Sequence, residues 1–365
     1  MASSISSSDA PPPSLPWRNI FGVALSILVA YILISETLLA EKGFIPTVQD
    51  SEARWIKERK RASELGERAL ILIGASRIQL GIDLNTLRKT TRLEPVQLAI
   101  DGSSYVPVLQ GLARDPRIRG TVIIDLMPGP VSFQIGSTGI SQNYQAKFDS
   151  LSSAGFEWPT YQNLDARLAE TIRQRLVNYA DGARPLDSLA NRITNPKAMP
   201  QYLLSLPDRS RLADYQRVSM PDFYLSRVLR HLGNPPEFDI SQPQTALMDQ
   251  LSRHIGELQP ESASGQPAQG MNDLETSISA IQSRGGRVII LQMPTSGLIL
   301  EADSRRFPRA LYWDRVVAST TATTIHWQDH PDLSGFFCPD GSHLDKRDTK
   351  AFTEKLVAVA GLSRR

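Results

Sequence analysis

A run of apolar residues near the start of the chain constrains the fold more than any other feature. Residues 20–40 read IFGVALSILVAYILISETLLA, with Glu36 as the one acidic residue. At ~1.5 Å per residue, a helix of this length spans roughly 31 Å, which matches the ~30 Å hydrocarbon core of a bilayer. A buried helix would show a polar face, and the apolar core of a cleaved signal peptide is usually ~7–15 residues long. The sequence therefore predicts an uncleaved transmembrane anchor over residues 19–41.

The segments on either side of the anchor differ in character. Residues 1–18 are rich in Ser and Pro and have too little apolar surface to offset chain entropy, which predicts a disordered tail. Residues 42–67 combine mixed charges with strong helix formers, which predicts a solvated helical stalk. Only Arg18 is basic before the anchor, whereas six basic residues follow it closely: Lys42, Arg54, Lys57, Arg59, Lys60 and Arg61. Strict positive-inside counting would leave the domain in the cytoplasm, but the rule weakens for long translocated domains, so charge alone leaves the side open.

Composition excludes several classes of function. The 365 residues are 41% hydrophobic and 21% charged, as expected for a folded protein with a sizeable core. Forty basic residues nearly balance 38 acidic ones, and no basic run is interleaved with aromatics, so no nucleic-acid partner is predicted. Cys338 is the one cysteine, so neither an internal disulfide nor a cysteine-ligated metal site can form. No metal and no cofactor are predicted.

Short apolar runs separated by helical patterns define the rest of the chain. Continuous apolar strands indicate burial on both faces, and their alternation with helices predicts an α/β domain with a doubly wound, mostly parallel sheet over residues 68–365. A long insertion, about 130–270, carries apolar stripes at helical spacing, one of them over residues 164–176, and predicts a helical subdomain or lid. It ends in a Pro/Gly/Ser-rich stretch over residues 258–270, which predicts a flexible linker. The predicted strands are residues 69–74, 96–100, 121–126, 287–293 and, more weakly, 323–327.

Polar residues follow several of these strands. Ser76 comes just after the first strand, Gly102 follows the second, and Asp340 and His343 form an Asp-x-x-His segment before the last helical pattern. In an open α/β sheet, functional groups collect at the carboxyl ends of the strands. We therefore expect these residues to lie at one edge of the sheet. Each also has a plainer interpretation, as a turn residue, a helix cap or a surface histidine.

The order of these pieces resembles the SGNH/GDSL hydrolase superfamily, over residues 69–128 and 287–361. Gly-x-Ser-Arg after an N-terminal anchor is more narrowly similar to membrane-tethered SGNH-like proteins of bacterial polysaccharide O-acylation. The resemblance implies a flavodoxin-like sheet, a Ser76 nucleophile and an oxyanion hole that includes the N–H groups of Ser76 and Gly102. His343 would act as the base that activates Ser76, and Asp340 would hold the imidazole in the required tautomer.

One part of the family pattern is missing. The family supplies a third oxyanion donor, an Asn side chain, after the third strand, where this chain has DLMPG over residues 125–129. The loss of one such donor can lower kcat by ~10²–10³. Asn143 or Gln134, farther along the chain, are the candidates to replace it. This departure makes an inactive or specialised enzyme a competing interpretation.

Other residues near the motifs have two interpretations each. Arg77 is a candidate to bind substrate. The basic run ahead of Tyr312 and Trp313 suits contact with a sugar or an anion, and a solvated face explains it equally well. Cys338 is either a nucleophile paired with histidine or a small buried residue. The basic run is Arg305, Arg306 and Arg309.

These observations predict a membrane-anchored acyl esterase or O-acyltransferase, with acetyl as the expected acyl group. The resemblance implies an inner-membrane protein whose domain lies outside the cytoplasm, a cell-surface polysaccharide substrate and a membrane-bound acyltransferase partner. The first alternative is a non-catalytic SGNH-like protein that binds glycan or assembles with a membrane acylation complex. The second is a cytoplasmic lipid esterase tethered to the membrane surface.

Overall fold

The architecture is that of a computed structural model of the full chain. The residues it describes are 16–48, 50–129, 139–153, 168, 171–172, 174–180, 201–261 and 268–364.

Five parallel strands form the central sheet, in the order β2-β1-β3-β6-β7. A separate antiparallel pair, β4 and β5, lies within the insertion. The α/β class and the parallel sheet predicted from sequence are confirmed. The strands are β1 Ala69–Ile73, β2 Glu94–Gln97, β3 Thr121–Asp125, β4 Leu203–Ser205, β5 Arg211–Ala213, β6 Arg287–Gln292 and β7 Thr323–His326.

Thirteen α-helices are present among the described residues. They are α1 Trp17–Glu41, α2 Glu52–Leu65, α3 Ser76–Gly81, α4 Leu84–Thr90, α5 Val106–Arg114, α6 Ile140–Ser153, α7 Asp222–His231, α8 Gln244–Glu257, α9 Ala268–Gln282, α10 Gly297–Arg306, α11 Trp313–Ser319, α12 Pro331–Ser334 and α13 Thr349–Val359.

Helices cover both faces of the sheet, which explains why the strands read as continuous apolar runs. Along β1, Ile71 and Ile73 pack into one core with residues of α2, α5, α9 and α11. Leu70 and Leu72 point to the opposite core, with residues of α3, α4 and α13. Successive strand residues face opposite sides, so a strand covered on both sides exposes neither set of side chains to solvent and favours apolar residues throughout.

Helix α1 is long and apolar enough to cross a membrane. Its 25 residues include an 18-residue window with a mean hydropathy of 2.2, and only 11% of that window is buried against the rest of the chain. Glu36, near its end, is held by polar partners, because its carboxylate accepts hydrogen bonds from the N–H groups of Val177 and Asn178, each 2.8 Å long. The apolar surface of α1 thus remains free for lipid while its acidic residue is satisfied by protein.

Helix α2 corrects the prediction of a solvated stalk over residues 42–67. Trp55 and Ala62 are fully buried, and the Trp55 indole N–H donates to the carbonyl of Leu98 over 2.9 Å. Arg59 is 1% exposed, forms an ion pair with Asp115 and lies over an aromatic ring of α6. These residues recur at helical spacing and form one packed face. The sequence pattern did not predict this buried face, because Arg59 is a charged residue and charged residues usually indicate exposure to solvent.

The insertion is only partly helical. Its described part contains α6, the β4–β5 hairpin, α7 and α8, and the last two pack against α10 in a small apolar core. Most of the predicted stripe at 164–176 lies outside the described residues, and Leu168 and Ile172 within it are exposed. Of the predicted linker over residues 258–270, only 262–267 lie outside the described residues, and α9 already begins at Ala268.

Candidate active site

Ser76 lies at the carboxyl edge of the sheet. Strand β1 ends at Ile73, the chain turns through Gly74 and Ala75, and Ser76 is the first residue of α3. The helix is fixed by Ile78, which is fully buried under the sheet, whereas Ser76 itself is half-buried. A buried strand and a short packed helix therefore hold the serine hydroxyl at a solvent-accessible edge.

The loop before α13 brings His343 toward this edge. Gly341 has a φ of +87°, and a Cβ atom there would lie 2.7 Å from the Cδ1 atom of Ile299, so the turn requires glycine. Its carbonyl accepts a 2.9 Å hydrogen bond from the N–H of Ser296. Oδ1 of Asp340 accepts bonds of 3.0 Å and 2.8 Å from the N–H groups of Ser342 and His343. The loop is thus folded around the carboxylate of Asp340.

Three side chains form a continuous hydrogen-bonded chain. Nε2 of His343 lies 2.8 Å from Oγ of Ser76, and Nδ1 of His343 lies 2.8 Å from Oδ2 of Asp340. An ionised Asp340 can only accept, so Nδ1 carries the proton and Nε2 is left to accept from the serine hydroxyl. Burial opposes ionisation of Asp340, but His343, Arg227 and the N–H of Ser342 hold its pKa below the ordinary value. The carboxylate therefore stays charged at neutral pH.

Arg227 is a neighbour of this triad that the sequence did not reveal. It comes from α7 in the insertion, and its Nε lies 3.2 Å from Oδ2 of Asp340. A terminal guanidinium nitrogen also lies 3.2 Å from Nδ1 of His343. Because Nδ1 already donates to Asp340, this second approach is a contact between two donors rather than a hydrogen bond. A positive charge thus lies next to both the carboxylate and the imidazole, and it helps to hold the pKa of Asp340 below its ordinary value.

The insertion also contributes aromatic residues. Burial together with the nearby charge of Asp340 raises the pKa of Tyr215. Its ring packs with Tyr202 and Phe223 at centroid distances of 5.1–6.1 Å within this group. Nothing in the sequence marks Tyr215 or Arg227 as site residues.

Gly102 lies where the resemblance expects an oxyanion donor. The pairing of β2 with β1 continues past the end of the strand, because the N–H groups of Leu98 and Ile100 donate to Leu72 and Gly74 over 2.8 Å and 3.1 Å. Two residues farther on, Gly102 has a φ of +66°, a conformation that favours glycine. The last bond of this pairing joins Ile100 to Gly74, two residues before Ser76.

Of the two candidates for the missing third donor, the structure describes only Asn143. Asn143 lies in the first turn of α6, with an exposed side chain that makes no contact with the triad among the described residues. Gln134 lies outside the described residues.

Buried charges lie beneath the serine. Arg77 is 3% exposed, and its guanidinium is 3.5 Å from Asp303, which is 2.6 Å from Nε2 of His231. Asp125, at the end of β3, is also buried, and burial raises its pKa to about 6 although Arg77 and the N–H groups of the backbone oppose the rise. Arg77 thus forms a buried ion pair with Asp303 near the edge of the sheet. Its direct contact with substrate stays a prediction.

Asp125 provides a test of these electrostatics. Its native pKa lies above its unfolded value, so its contribution to stability is intact below about pH 4 and is lost as the pH rises through about 6. The shift from 3.8 to about 6 corresponds to about 3 kcal/mol. We expect Asp125→Asn to gain up to that amount in the free energy of unfolding at pH 8 and almost nothing at pH 3.5.

Urea denaturation of the full chain in detergent micelles, repeated across this pH range, measures the gain. Asp101→Asn removes an exposed carboxylate from the turn that follows β2 and is the matched control. A gain for Asp125→Asn that does not depend on pH would contradict the assignment.

Cys338 does not fit a nucleophile. It is fully buried, its Sγ lies 3.3 Å from the carbonyl of Pro294, and burial raises its pKa to about 12. Among the described residues, no group of three or more His, Cys, Asp and Glu side chains is placed to hold a metal ion.

Neither the models of known protein families nor the curated proteins give a match to this sequence.

Proposed function

We propose that this chain is an SGNH-type acyl esterase or O-acyltransferase that acts through an acyl-Ser76 intermediate. The observation that supports this most directly is the hydrogen-bonded series Ser76–His343–Asp340, with 2.8 Å at each of its two links. The arrangement meets the geometric requirement for a nucleophile, a base and an orienting acid. The order of the pieces, with the serine after the first strand and Asp-x-x-His before the last helix, supports the SGNH assignment.

The reaction divides into two transfers. Oγ of Ser76 attacks the acyl carbonyl while Nε2 of His343 takes the hydroxyl proton, and the carbonyl π electrons move onto oxygen. The N–H groups of Ser76 and Gly102 stabilise that oxyanion. Collapse breaks the ester bond, and His343 returns the proton to the departing alkoxide. Water or a sugar hydroxyl then attacks the acyl-serine by the same steps in reverse, which gives hydrolysis or transfer.

The substrate class follows from the resemblance to polysaccharide O-acylation proteins. We propose a small acyl group, with acetyl as the first candidate, and a cell-surface glycan as donor or acceptor. The apolar helix α1 supports a membrane location, and we place the domain on the outer side of an inner membrane, with a membrane-bound acyltransferase as partner. Because α2 packs on the sheet, it does not form the solvated stalk that would hold the site away from the bilayer. The proposal of a short acyl chain is therefore supported by the resemblance and by the Tyr202–Tyr215–Phe223 cluster beside the triad.

A non-catalytic role is the second candidate. The guanidinium of Arg227 lies 3.2 Å from Nδ1 of His343, next to the ring that carries a positive charge during acyl transfer. Asn143, the one described candidate for the third oxyanion donor, does not contact the triad. An SGNH-like protein with these features would bind glycan or assemble with an acylation complex without turnover.

Labelling with a fluorophosphonate probe separates the two candidates. Such probes form a covalent bond only with a serine that an adjacent base activates. We expect the detergent-solubilised wild type to be labelled and Ser76→Ala to lose the label completely. Ser334→Ala changes an exposed serine of α12 and is expected to keep full labelling. Labelling that persists in Ser76→Ala would reject Ser76 as the nucleophile, and an unlabelled wild type would favour the non-catalytic role.

A further inference from the structure

A cavity of about 120 Å³ opens beside the candidate active site, at the carboxyl ends of β3, β6 and β7. Its walls come from residues 126–129, from α10 and α11 and from residues 326–328. It adjoins the triad through α10, because Asp303 in its wall is the ion-pair partner of Arg77, the residue after Ser76. None of the chemistry proposed above uses this cavity.

Aromatic rings make up much of the cavity wall. Phe307 and Tyr312 pack edge to face, with ring centroids 5.3 Å apart. Trp313 packs in the same way against His326, at 5.1 Å. Small-molecule sites are commonly lined by aromatic side chains with a few placed polar groups. The walls therefore suit a ligand with at least one apolar face.

Two hydrogen-bond donors lie in this aromatic wall. Trp327 is 6% exposed, and its indole N–H has no hydrogen-bond partner among the described residues. Nδ1 of His326 accepts a 3.2 Å bond from the N–H of Gln328, so a neutral ring carries its proton on Nε2. Burial and the neighbouring Arg309 lower the pKa of His326 to about 4, which keeps the ring neutral at pH 7. A buried donor without a partner costs ~1–3 kcal/mol, which an acceptor on a ligand would recover.

Asp303 adds an acceptor. It is 5% exposed, and His231 and Arg77 each approach one of its two oxygens. Burial opposes its ionisation, but His231 and Arg77 hold its pKa below the ordinary value. A carboxylate has about four acceptor positions, so Asp303 retains capacity for a ligand donor.

This combination discriminates between ligand classes. An anion would face the ionised Asp303, and the one arginine among the described residues of the cavity wall, Arg309, is already paired with Asp314 and Asp329. A purely apolar ligand would leave the Trp327 N–H without a partner. A hydroxyl group both donates and accepts, which suits Asp303 on one side and Trp327 or His326 on the other. A cavity needs ~10–15 Å³ to admit one water, so about 120 Å³ accommodates several polar groups at once.

We propose that this cavity binds a single uncharged sugar ring, with its apolar face on the aromatic wall and its hydroxyls on Asp303, His326 and Trp327. The inference deepens the glycan-directed function proposed above, on which its biological meaning rests. Binding itself does not require an acyl-serine, so the two proposals can fail separately. In a glycan substrate, the bound ring would be a unit near the one presented to Ser76.

Titration of the detergent-solubilised full chain with methyl α-D-glucopyranoside, methyl α-D-mannopyranoside and methyl α-D-galactopyranoside tests the proposal. Ligand-observed saturation-transfer NMR gives the affinity, and the indole resonances of ¹⁵N-labelled tryptophan report the position. We expect saturable binding of at least one neutral glycoside and a shift of the Trp327 indole signal. The Trp55 indole donates to Leu98 in the core and is expected not to shift.

Trp327→Phe keeps an aromatic ring and removes the N–H, so it is expected to weaken binding about five- to tenfold, as one lost hydrogen bond implies. Trp55→Phe is the matched control and is expected to retain the wild-type affinity. Ser76→Ala is expected to bind the sugar normally, which separates this test from the labelling experiment.

The proposal would be overturned by the absence of saturable binding for all three glycosides. An unchanged affinity in Trp327→Phe would also reject it, as would tighter binding of the anionic D-glucuronate.

Discussion

Replacement of His343 by alanine is expected to lower the turnover of p-nitrophenyl acetate by ~10⁴–10⁶, to near the background rate. Nε2 of His343 is placed 2.8 Å from Oγ of Ser76, where it takes the proton of the attacking hydroxyl and later returns it to the leaving group. Alanine removes both steps and leaves Asp340 and Arg227 to pair with each other.

Initial rates of the wild type and the variant on p-nitrophenyl acetate measure this effect, and p-nitrophenyl palmitate tests the preference for a short acyl chain. His254→Ala changes a histidine of α8 that packs against Phe238 and is expected to keep wild-type rates. Acetate turnover that survives His343→Ala would remove the base from the mechanism. Faster turnover of palmitate would favour the lipid esterase, and turnover of neither ester or of polysaccharide acceptors would favour the non-catalytic role.

The strands of the sheet could be predicted because each is defined by the apolar character of a few consecutive residues. The central strands are buried on both faces, so most of their residues must be apolar whatever lies around them. Each of the five runs predicted from sequence overlaps a strand in the structure, although the run over 96–100 overlaps β2 only at residues 96–97. The apolar length of α1 follows from the same kind of argument. Both predictions need only the character of consecutive residues.

Helix α2 was mispredicted because its burial depends on distant partners. Arg59 is almost fully buried, since Asp115 and Ser63 bind its guanidinium and the ring of Phe148 lies beneath it. A buried arginine is tolerated only when such partners neutralise it, and two of the three lie far away in sequence. The local composition of α2 therefore indicated exposure to solvent, whereas the structure buries one face of the helix in the core.

The candidate site likewise contains residues that the sequence could predict and one that it could not. Ser76, Asp340 and His343 could be singled out because each follows a predicted strand or precedes the last helix, and the sheet brings these ends together. Arg227 reaches the triad from the insertion, where its position depends on the packing of α7 against α8 and α10. No pattern within the sequence predicts that packing.

Arg227 makes Asp340 the most informative residue to change, and Asp340→Asn is expected to lower kcat by ~10⁴. Oδ1 of Asp340 accepts from two backbone N–H groups, so the amide oxygen of an asparagine must take that position. Its NH₂ group would then face Nδ1 of His343 and force the imidazole proton onto Nε2. In that tautomer Nε2 cannot accept the proton of Ser76.

The same substitution leaves Arg227 next to the imidazole without a counter-charge. Two unit charges ~4 Å apart interact by about 4 kcal/mol at an effective dielectric constant of 20, so even part of this repulsion opposes an imidazolium strongly. We therefore expect Arg227→Gln, added to Asp340→Asn, to raise kcat about tenfold above that of the single variant. In the presence of Asp340, the same Arg227→Gln change is expected to alter kcat by less than tenfold, because its charge is already paired.

Single-turnover acylation rates of the four proteins form a double-mutant cycle that isolates this coupling. Arg230→Gln removes an exposed positive charge from the same helix and is expected to leave every rate unchanged. If Asp340→Asn stays within tenfold of the wild type, Asp340 does not set the tautomer of His343. If the double variant is no faster than Asp340→Asn, the guanidinium does not act on the imidazole through its charge, and its contact with Asp340 serves only to hold α7 against the triad loop.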